Sequence, residues 1–210
     1  MQIIDTQQIE FWPEEIILGC SRIKDDLSDD LLGETELKKY QAFHHPKRKS
    51  EYLTARYLFN FLVDRSALDL SQVQLLKHQD GKPFFELAGE QAFVSFSHTP
   101  SHVFCAISES LDLGIDAEQV QREVNPKVLK RILSTQEQAQ LSKEEPIKLW
   151  TIKEAAVKCL GTGLRTNLNE VQIHKKEKNR FSVRFNNEYL FEICSFRQLN
   201  HQIALAYQSK

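Results

Sequence analysis

Leu149–Gly163 reads LWTIKEAAVKCLGTG. Its spacing predicts one helix, with Pro146 near its start and Gly161 and Gly163 after its last apolar turn. Leu149, Ile152, Ala156 and Leu160 recur at three- and four-residue intervals and are expected to face the core. Ile147, Trp150, Glu154 and Lys158 form a second stripe on another side. A Glu four residues before a Lys is ordinarily a solvated pair, stabilising a helix by about 0.2–0.5 kcal/mol. What surrounds that pair decides whether it does more.

Working outward, Asp116 and Glu118 close an alternating run, Leu111, Leu113, Ile115, that predicts a strand. Residues two apart on a strand share a face, and two carboxylates held together repel each other unless a cation lies between them. Such a hard oxygen site suits Mg²⁺. Before it, Phe93–Ile107 predicts strand, turn, strand, with Ser95-Phe96-Ser97-His98 leading into Pro100-Ser101. Ser97 and His98 make a poor nucleophile and base, because neighbours on a strand point apart and no G-x-S-x-G elbow is present. A phosphate or ribose contact suits them better. Asp80-Gly81-Lys82-Pro83 is a turn by composition, with Phe84 and Phe85 opening a strand.

Further back, HHPKRKSEYLTARYLFNFLVD (residues 44–64) predicts an amphipathic helix after Pro46. Its polar side carries Lys47, Arg48, Lys49 and Arg56. With Lys82, the arginines form a basic group that suits phosphate. Ser28–Phe43 is expected to be helical, and Ile3-Ile4 and Ile16-Ile17-Leu18 to be short strands. Toward the C-terminus, Asn125-Pro126 opens a helix, and Ser134-Thr135-Gln136-Glu137 is a capping box before a shorter one. Four β runs follow, at Val171–His174, Phe181–Phe185, Tyr189–Phe196 and Ile203–Tyr207, with a hairpin turn expected at Asn186-Asn187.

Whole-chain properties narrow the classes. The chain has 210 residues, 27 Lys+Arg against 29 Asp+Glu, and a formal net charge of −2. That balance argues against a nucleic-acid or membrane-surface partner, so an anion must be held by local clusters. Cys20, Cys105, Cys159 and Cys194 lie far apart in apolar contexts, as buried thiols in a reducing compartment do. No signal peptide or membrane span is evident, and a soluble cytoplasmic protein is expected. No P-loop, G-x-G-x-x-G or H-E-x-x-H motif is present. Each half holds a helix followed by strands, which suggests an N-terminal lobe, 1–109, and a C-terminal lobe, 110–210, divided near Glu109-Ser110.

Taken in order, these pieces resemble the 4′-phosphopantetheinyl transferase superfamily, in particular its larger single-chain type. The resemblance rests on GID-x-E at Gly114–Glu118, W-x-x-KE-x-x-x-K at Trp150–Lys158, G-x-GL at Gly161–Leu164 and S-x-SH at Ser95–His98. Gly81-Lys82-Pro83 and R-x-x-E-x-x-x-x-R at Arg48–Arg56 fit as well. It spans residues 45–173 directly. It implies an α+β fold, a pseudo-dimer of two similar α/β lobes with coenzyme A in the cleft, acting as a monomer. It also implies transfer of the 4′-phosphopantetheine arm to a serine of an apo carrier protein of a fatty-acid, polyketide or nonribosomal peptide synthase.

On that resemblance Asp116, Glu118 and Glu154 would hold Mg²⁺, or Mn²⁺ in its stead, against the pyrophosphate. Lys158 would reach the phosphates. Arg48, Arg56 and His98 would grip the 3′-phosphate, Lys82 would lie near the adenine nucleotide, and Ser97 near the pyrophosphate. Glu154 is the candidate base for the carrier serine, with Glu118 as the alternative. Lys127, Lys130 and Arg131 are candidate contacts for an acidic carrier helix. A coenzyme A or nucleotide-binding regulatory module without turnover is the competing reading. It would keep the basic residues but need no trio of acids. Residues before Pro46 match no motif.

Overall fold

In a computed structural model, residues 1–163, 166–186 and 188–208 are described, without the side chains of Tyr189 and Leu190. Leu164, the last position of G-x-GL, and Asn187 of the expected Asn186-Asn187 turn lie outside the described residues.

The fold is α+β, with two antiparallel sheets and five α-helices among the described residues. One sheet draws its strands from Gln2 to Ser108 and the other from Leu113 to Tyr207. The first contains β1 (Gln2–Ile3), β2 (Ile17–Arg22), β3 (Val73–Lys77), β4 (Pro83–Leu87), β5 (Glu90–His98) and β6 (His102–Ser108). Its order is β1-β2-β6-β5-β4-β3. The second contains β7 (Leu113–Gln119), β8 (Val171–Lys175), β9 (Arg180–Phe185), β10 (Tyr189–Gln198) and β11 (His201–Tyr207), in the order β7-β11-β10-β9-β8.

Helix α1 (Glu34–Gln41) is shorter than the Ser28–Phe43 span expected. Asp29 and Asp30 therefore lie before it, and Glu34 and Glu36 occupy its first turn, where the helix dipole favours acids. Pro46 begins α2 (Pro46–Arg65), as its fixed φ favours. Next come α3 (Pro126–Ile132), capped by the Asn125 side chain, and α4 (Thr135–Gln140), whose Ser134–Glu137 capping box is complete. The helix foreseen in the opening stretch is α5 (Pro146–Leu160), stopped by Gly161 in the left-handed region at φ 77°.

Period-two alternation distributes the strands' side chains between cores. On β6, Val103, Cys105 and Ile107 pack with Leu58, Phe59 and Leu62 of α2. Phe104 and Ala106 face the other way, into a core shared with Leu113, Ile115 and Ala117 of β7 and with Ile203 and Leu205 of β11. Ala204 and Ala206 of β11 join Leu149, Ile152 and Ala156 of α5 in a further core. The order of layers is thus α2, first sheet, second sheet, α5. All four cysteines are free and buried.

Helix α5 is buried on more sides than its two stripes suggested. Ile147, placed on the second stripe, is buried, and so is Lys153. The Lys153 ammonium meets Glu137 at 2.9 Å with both side chains almost wholly enclosed. It also donates to the carbonyls of Leu168, at 3.0 Å, and Val171. A buried charge persists only when paired and hydrogen-bonded in this way.

Gly114 shows why α5 and β7 approach so closely. A Cβ there would lie 2.3 Å from the carbonyl oxygen of Ala155 and 2.3 Å from the amide nitrogen of Cys159. Both are backbone atoms and cannot yield as a side chain would. Gly114→Ala is therefore expected to destabilise the protein by about 3 kcal/mol, the upper end of overpacking penalties. Gly33→Ala, where a new Cβ would touch nothing within 4 Å, loses only glycine's advantage over alanine as the N-cap of α1 and is expected to cost about 1 kcal/mol or less. Urea unfolding of the two variants checks the contrast.

Candidate active site

The face of β7 turned away from the shared core carries Gly114, Asp116 and Glu118. Because Gly114 lies against the backbone of α5, Asp116 two residues on comes within reach of that helix. Its Oδ1 accepts from Lys158 Nζ at 2.8 Å and from Ser97 Oγ at 3.1 Å. Lys158 also donates to the carbonyls of Ile115, at 2.9 Å, and Phe96, at 3.3 Å. Asp116 Oδ2 is buried and has no hydrogen-bond partner among the described residues.

Asp116, Glu118 and Glu154 line one cavity of about 480 Å³ together with Lys158, Ser97 and His98. Burial, and then the Asp116 charge, push the Glu154 carboxyl above its ordinary pKa, against the opposing charges of Lys158 and Arg122. Glu118 is instead paired with Arg122. Among the described residues no three His, Cys, Asp or Glu side chains close around one point. The donor chemistry nevertheless fits a hard divalent cation: the Asp116 oxygen without a partner, Glu118 two residues on along the same face of β7, and Glu154 of α5 lining the same cavity.

A second cavity of about 380 Å³ adjoins the first and shares Glu51, Ser97, His98 and Lys158 with it. Its wall is basic and aromatic, with Arg48, Arg56, Lys82, Tyr52 and Phe96 among its residues. Arg48 Nη1 donates to Glu51 Oε2 at 2.9 Å and to His98 Nε2 at 3.1 Å. An arginine can only donate, so His98 Nε2 accepts and its imidazole is neutral. Burial foremost, with the Arg48 and Lys158 charges, holds His98 below its ordinary pKa, although Glu51 and Asp116 pull it upward.

Arg56 is buried, pairs with Glu36 of α1, and has its guanidinium carbon 4.2 Å from the centroid of the Tyr52 ring. Lys82 is turned inward, onto Asp112 and the Cys159 carbonyl. Arg48, Arg56, Lys82, Ser97, His98 and Lys158 thus line one cavity, and Ser97, His98, Asp116, Glu118, Glu154 and Lys158 line the other.

Ser97 has a structural partner that the sequence did not suggest. Ser95 Oγ accepts from Ile115 N at 3.0 Å and Ser97 Oγ from Ala117 N at 3.1 Å. The two hydroxyls stitch β5 to the edge strand β7, and Ser97 donates its own O–H to Asp116 Oδ1. Sequence reasoning also missed Glu36, Lys39, Lys77 and Arg122. Lys39 and Lys77 line the basic cavity. Burial first, then the neighbouring Lys39, pushes the Lys77 ammonium down to about 8. Lys77 ends β3, a strand that was not foreseen. Arg122 pairs with Glu118 only four residues away, but its second partner, Trp150, becomes a neighbour only when β7 meets α5.

Glu154→Gln removes a carboxylate that burial and Asp116 both disfavour. In the absence of divalent ions and near neutral pH the variant is expected to melt about 2–4 °C above the parent, the shift that ~1 kcal/mol gives in a chain of this size. Thermal melts in chelator check it.

Residues 112–208 match the family model described as the 4′-phosphopantetheinyl transferase superfamily. A Synechocystis protein provisionally named a 4′-phosphopantetheinyl transferase is 27% identical over 67% of this chain and 61% of its own length. The 4′-phosphopantetheinyl transferase gsp of Aneurinibacillus migulanus is 28% identical over 60% of this chain and 53% of its own. The 4′-phosphopantetheinyl transferase Sfp of Bacillus subtilis is 26% identical over 70% and 67%. The chain therefore spans between 53% and 67% of the length of these relatives.

Proposed function

We infer that this chain, whose residues 112–208 belong to the 4′-phosphopantetheinyl transferase superfamily, transfers the 4′-phosphopantetheine arm of coenzyme A to a serine of an apo carrier protein. The observation that carries the reading is the unpartnered Asp116 Oδ2 beside Glu154, in a cavity that shares a wall with the basic one. A diphosphate lying across that shared wall would put its nucleotide end among Arg48, Arg56 and His98 and its charged centre beside the carboxylates. Asp116, Glu118 and Glu154 would hold Mg²⁺, or Mn²⁺ in its place. The ion would supply Lewis-acid neutralisation of the pyrophosphate.

In the step itself the carrier serine Oγ bonds to the β-phosphorus of coenzyme A. The bond from that phosphorus to the bridging oxygen breaks, and 3′,5′-ADP leaves with the bridging oxygen. The serine proton passes to Glu154, whose burial and acidic neighbour raise its affinity for a proton. Lys158, anchored by two carbonyls and Asp116, presents a fixed positive charge to the developing negative charge. His98, neutral and hydrogen-bonded to Arg48, steadies that guanidinium toward the 3′-phosphate. Lys127, Lys130 and Arg131 on α3 offer positive charge to an acidic carrier helix.

Intact-mass analysis of apo carrier proteins incubated with this chain, coenzyme A and Mg²⁺ tests the reading. One phosphopantetheine per carrier serine is expected. Glu154→Gln is expected to lower kcat about 10²–10⁴-fold, as loss of a general base does, while calorimetry shows coenzyme A still bound. Asp116→Ala should likewise lose most turnover. Coenzyme A binding with no mass gain on any carrier would instead mark a regulatory module.

A further inference from the structure

Each of the three candidate metal-holding carboxylates is compensated differently. Asp116 has Lys158, Glu118 has Arg122, and Glu154 has no hydrogen-bonded partner among the described residues. The two cations differ in how firmly they are held. Lys158 bonds to two carbonyls besides Asp116 and is fixed in place. Arg122 leaves β7 in a turn closed by its N–H to the Gln119 carbonyl at 2.9 Å. Its guanidinium bonds to Glu118 alone among the described residues and lies over the Trp150 ring of α5, 5.4 Å from the centroid. The Arg122 side chain is 46% exposed and that of Glu118 only 14%. The arginine is therefore the solvent-side, movable member of the pair. Its charge is also one of the two that lower the Glu154 pKa, so it acts on two of the three acids.

We propose that Arg122 is a built-in counter-cation that holds Glu118 in the metal-free protein and gives it up when a divalent ion binds, with Trp150 keeping the displaced guanidinium at the rim. The inference rests on the reading of the acidic trio as a metal site. Three carboxylates sharing a cavity without compensation would repel one another. A fixed lysine in Arg122's place would compete permanently with the ion. An arginine on an indole face can slide off the carboxylate and keep its cation–π contact. The arrangement lets the apo protein tolerate its acids and releases a positive charge at the rim once the ion is bound.

The test is Mn²⁺ binding by the full chain, followed by the paramagnetic resonance of free Mn²⁺, with and without coenzyme A. Arg122→Met removes the competitor, and its Mn²⁺ Kd is expected to fall about two- to fivefold, the range an exposed ion pair accounts for. Arg122→Lys keeps the competing charge without the stacked guanidinium and should bind Mn²⁺ no more tightly than the parent. In chelator, Arg122→Met should melt below the parent, and saturating Mn²⁺ should close the gap. An unchanged or higher Kd for Arg122→Met overturns the proposal. If the parent binds Mn²⁺ and Glu118→Gln weakens it while Arg122→Met does not alter it, the metal site stands and only the role of Arg122 falls. If the parent takes up no Mn²⁺ in either condition, the metal-site reading and this proposal fall together.

Discussion

The arrangement depends on a backbone-to-backbone contact. Gly114 of β7 lies so close to Ala155 and Cys159 of α5 that a methyl group could not be inserted. Strand periodicity then carries the consequence along β7. The face that holds Gly114 also holds Asp116 and Glu118, whereas Leu113, Ile115 and Ala117 enter the core between the sheets. Helix periodicity carries it along α5. Once Ala155 and Cys159 face β7, Lys158 is brought to Asp116, and Glu154, a turn earlier, to the same cavity. The acids and the lysine meet because one residue between two elements has no side chain.

The same closeness creates a problem that the first sheet solves. β7 is an edge strand of its own sheet, and the amides of Ile115 and Ala117 would otherwise lack partners in a buried seam. An unpaired buried N–H is expensive, on the order of 1–3 kcal/mol. Ser95 and Ser97, two apart on β5, supply hydroxyls at the matching interval. The serines therefore read most directly as a register device between the sheets. Ser97 has the further effect of orienting Asp116, since its hydroxyl and the Lys158 ammonium both take Oδ1 and leave Oδ2 without a partner.

Elements whose signals are local could be read in the sequence. α5 announced itself through Pro146, its apolar spacing and Gly161. The Ser134–Glu137 capping box, the strand pair around Ser97-His98, the C-terminal β runs and the acids Asp116 and Glu118 were likewise visible. What stayed hidden depends on long-range partners. The Glu36–Arg56 pair joins α1 to α2 across 20 residues, and nothing about either position marks it. α1 is shorter than its sequence predicts, because the acids Asp29 and Asp30 suit a helix start as much as the turns they occupy. Glu118 is legible as a carboxylate on the right face; its pair with Arg122, only four residues on, stays hidden because the turn after β7 has no periodicity that says where either side chain reaches.

Lys153 and Glu154 carry the point furthest. They are neighbours in sequence and differ by about 100° around the helix. Lys153 turns inward, where Glu137 and two carbonyls satisfy it. That buried pair ties α5 to α4 and to the chain entering β8, because Glu137 also accepts from the Ile173 amide. Losing one partner of such a pair leaves an uncompensated charge, so the helix resists rotation about its own axis. Glu154 benefits directly. With Lys153 pinned on one side and Gly114 admitting the backbone on another, the angular position of the carboxylate is set by contacts it does not itself make. Lys153 and Gly114 thus position the site from outside it, the lysine by its enclosed charge and the glycine by its missing side chain.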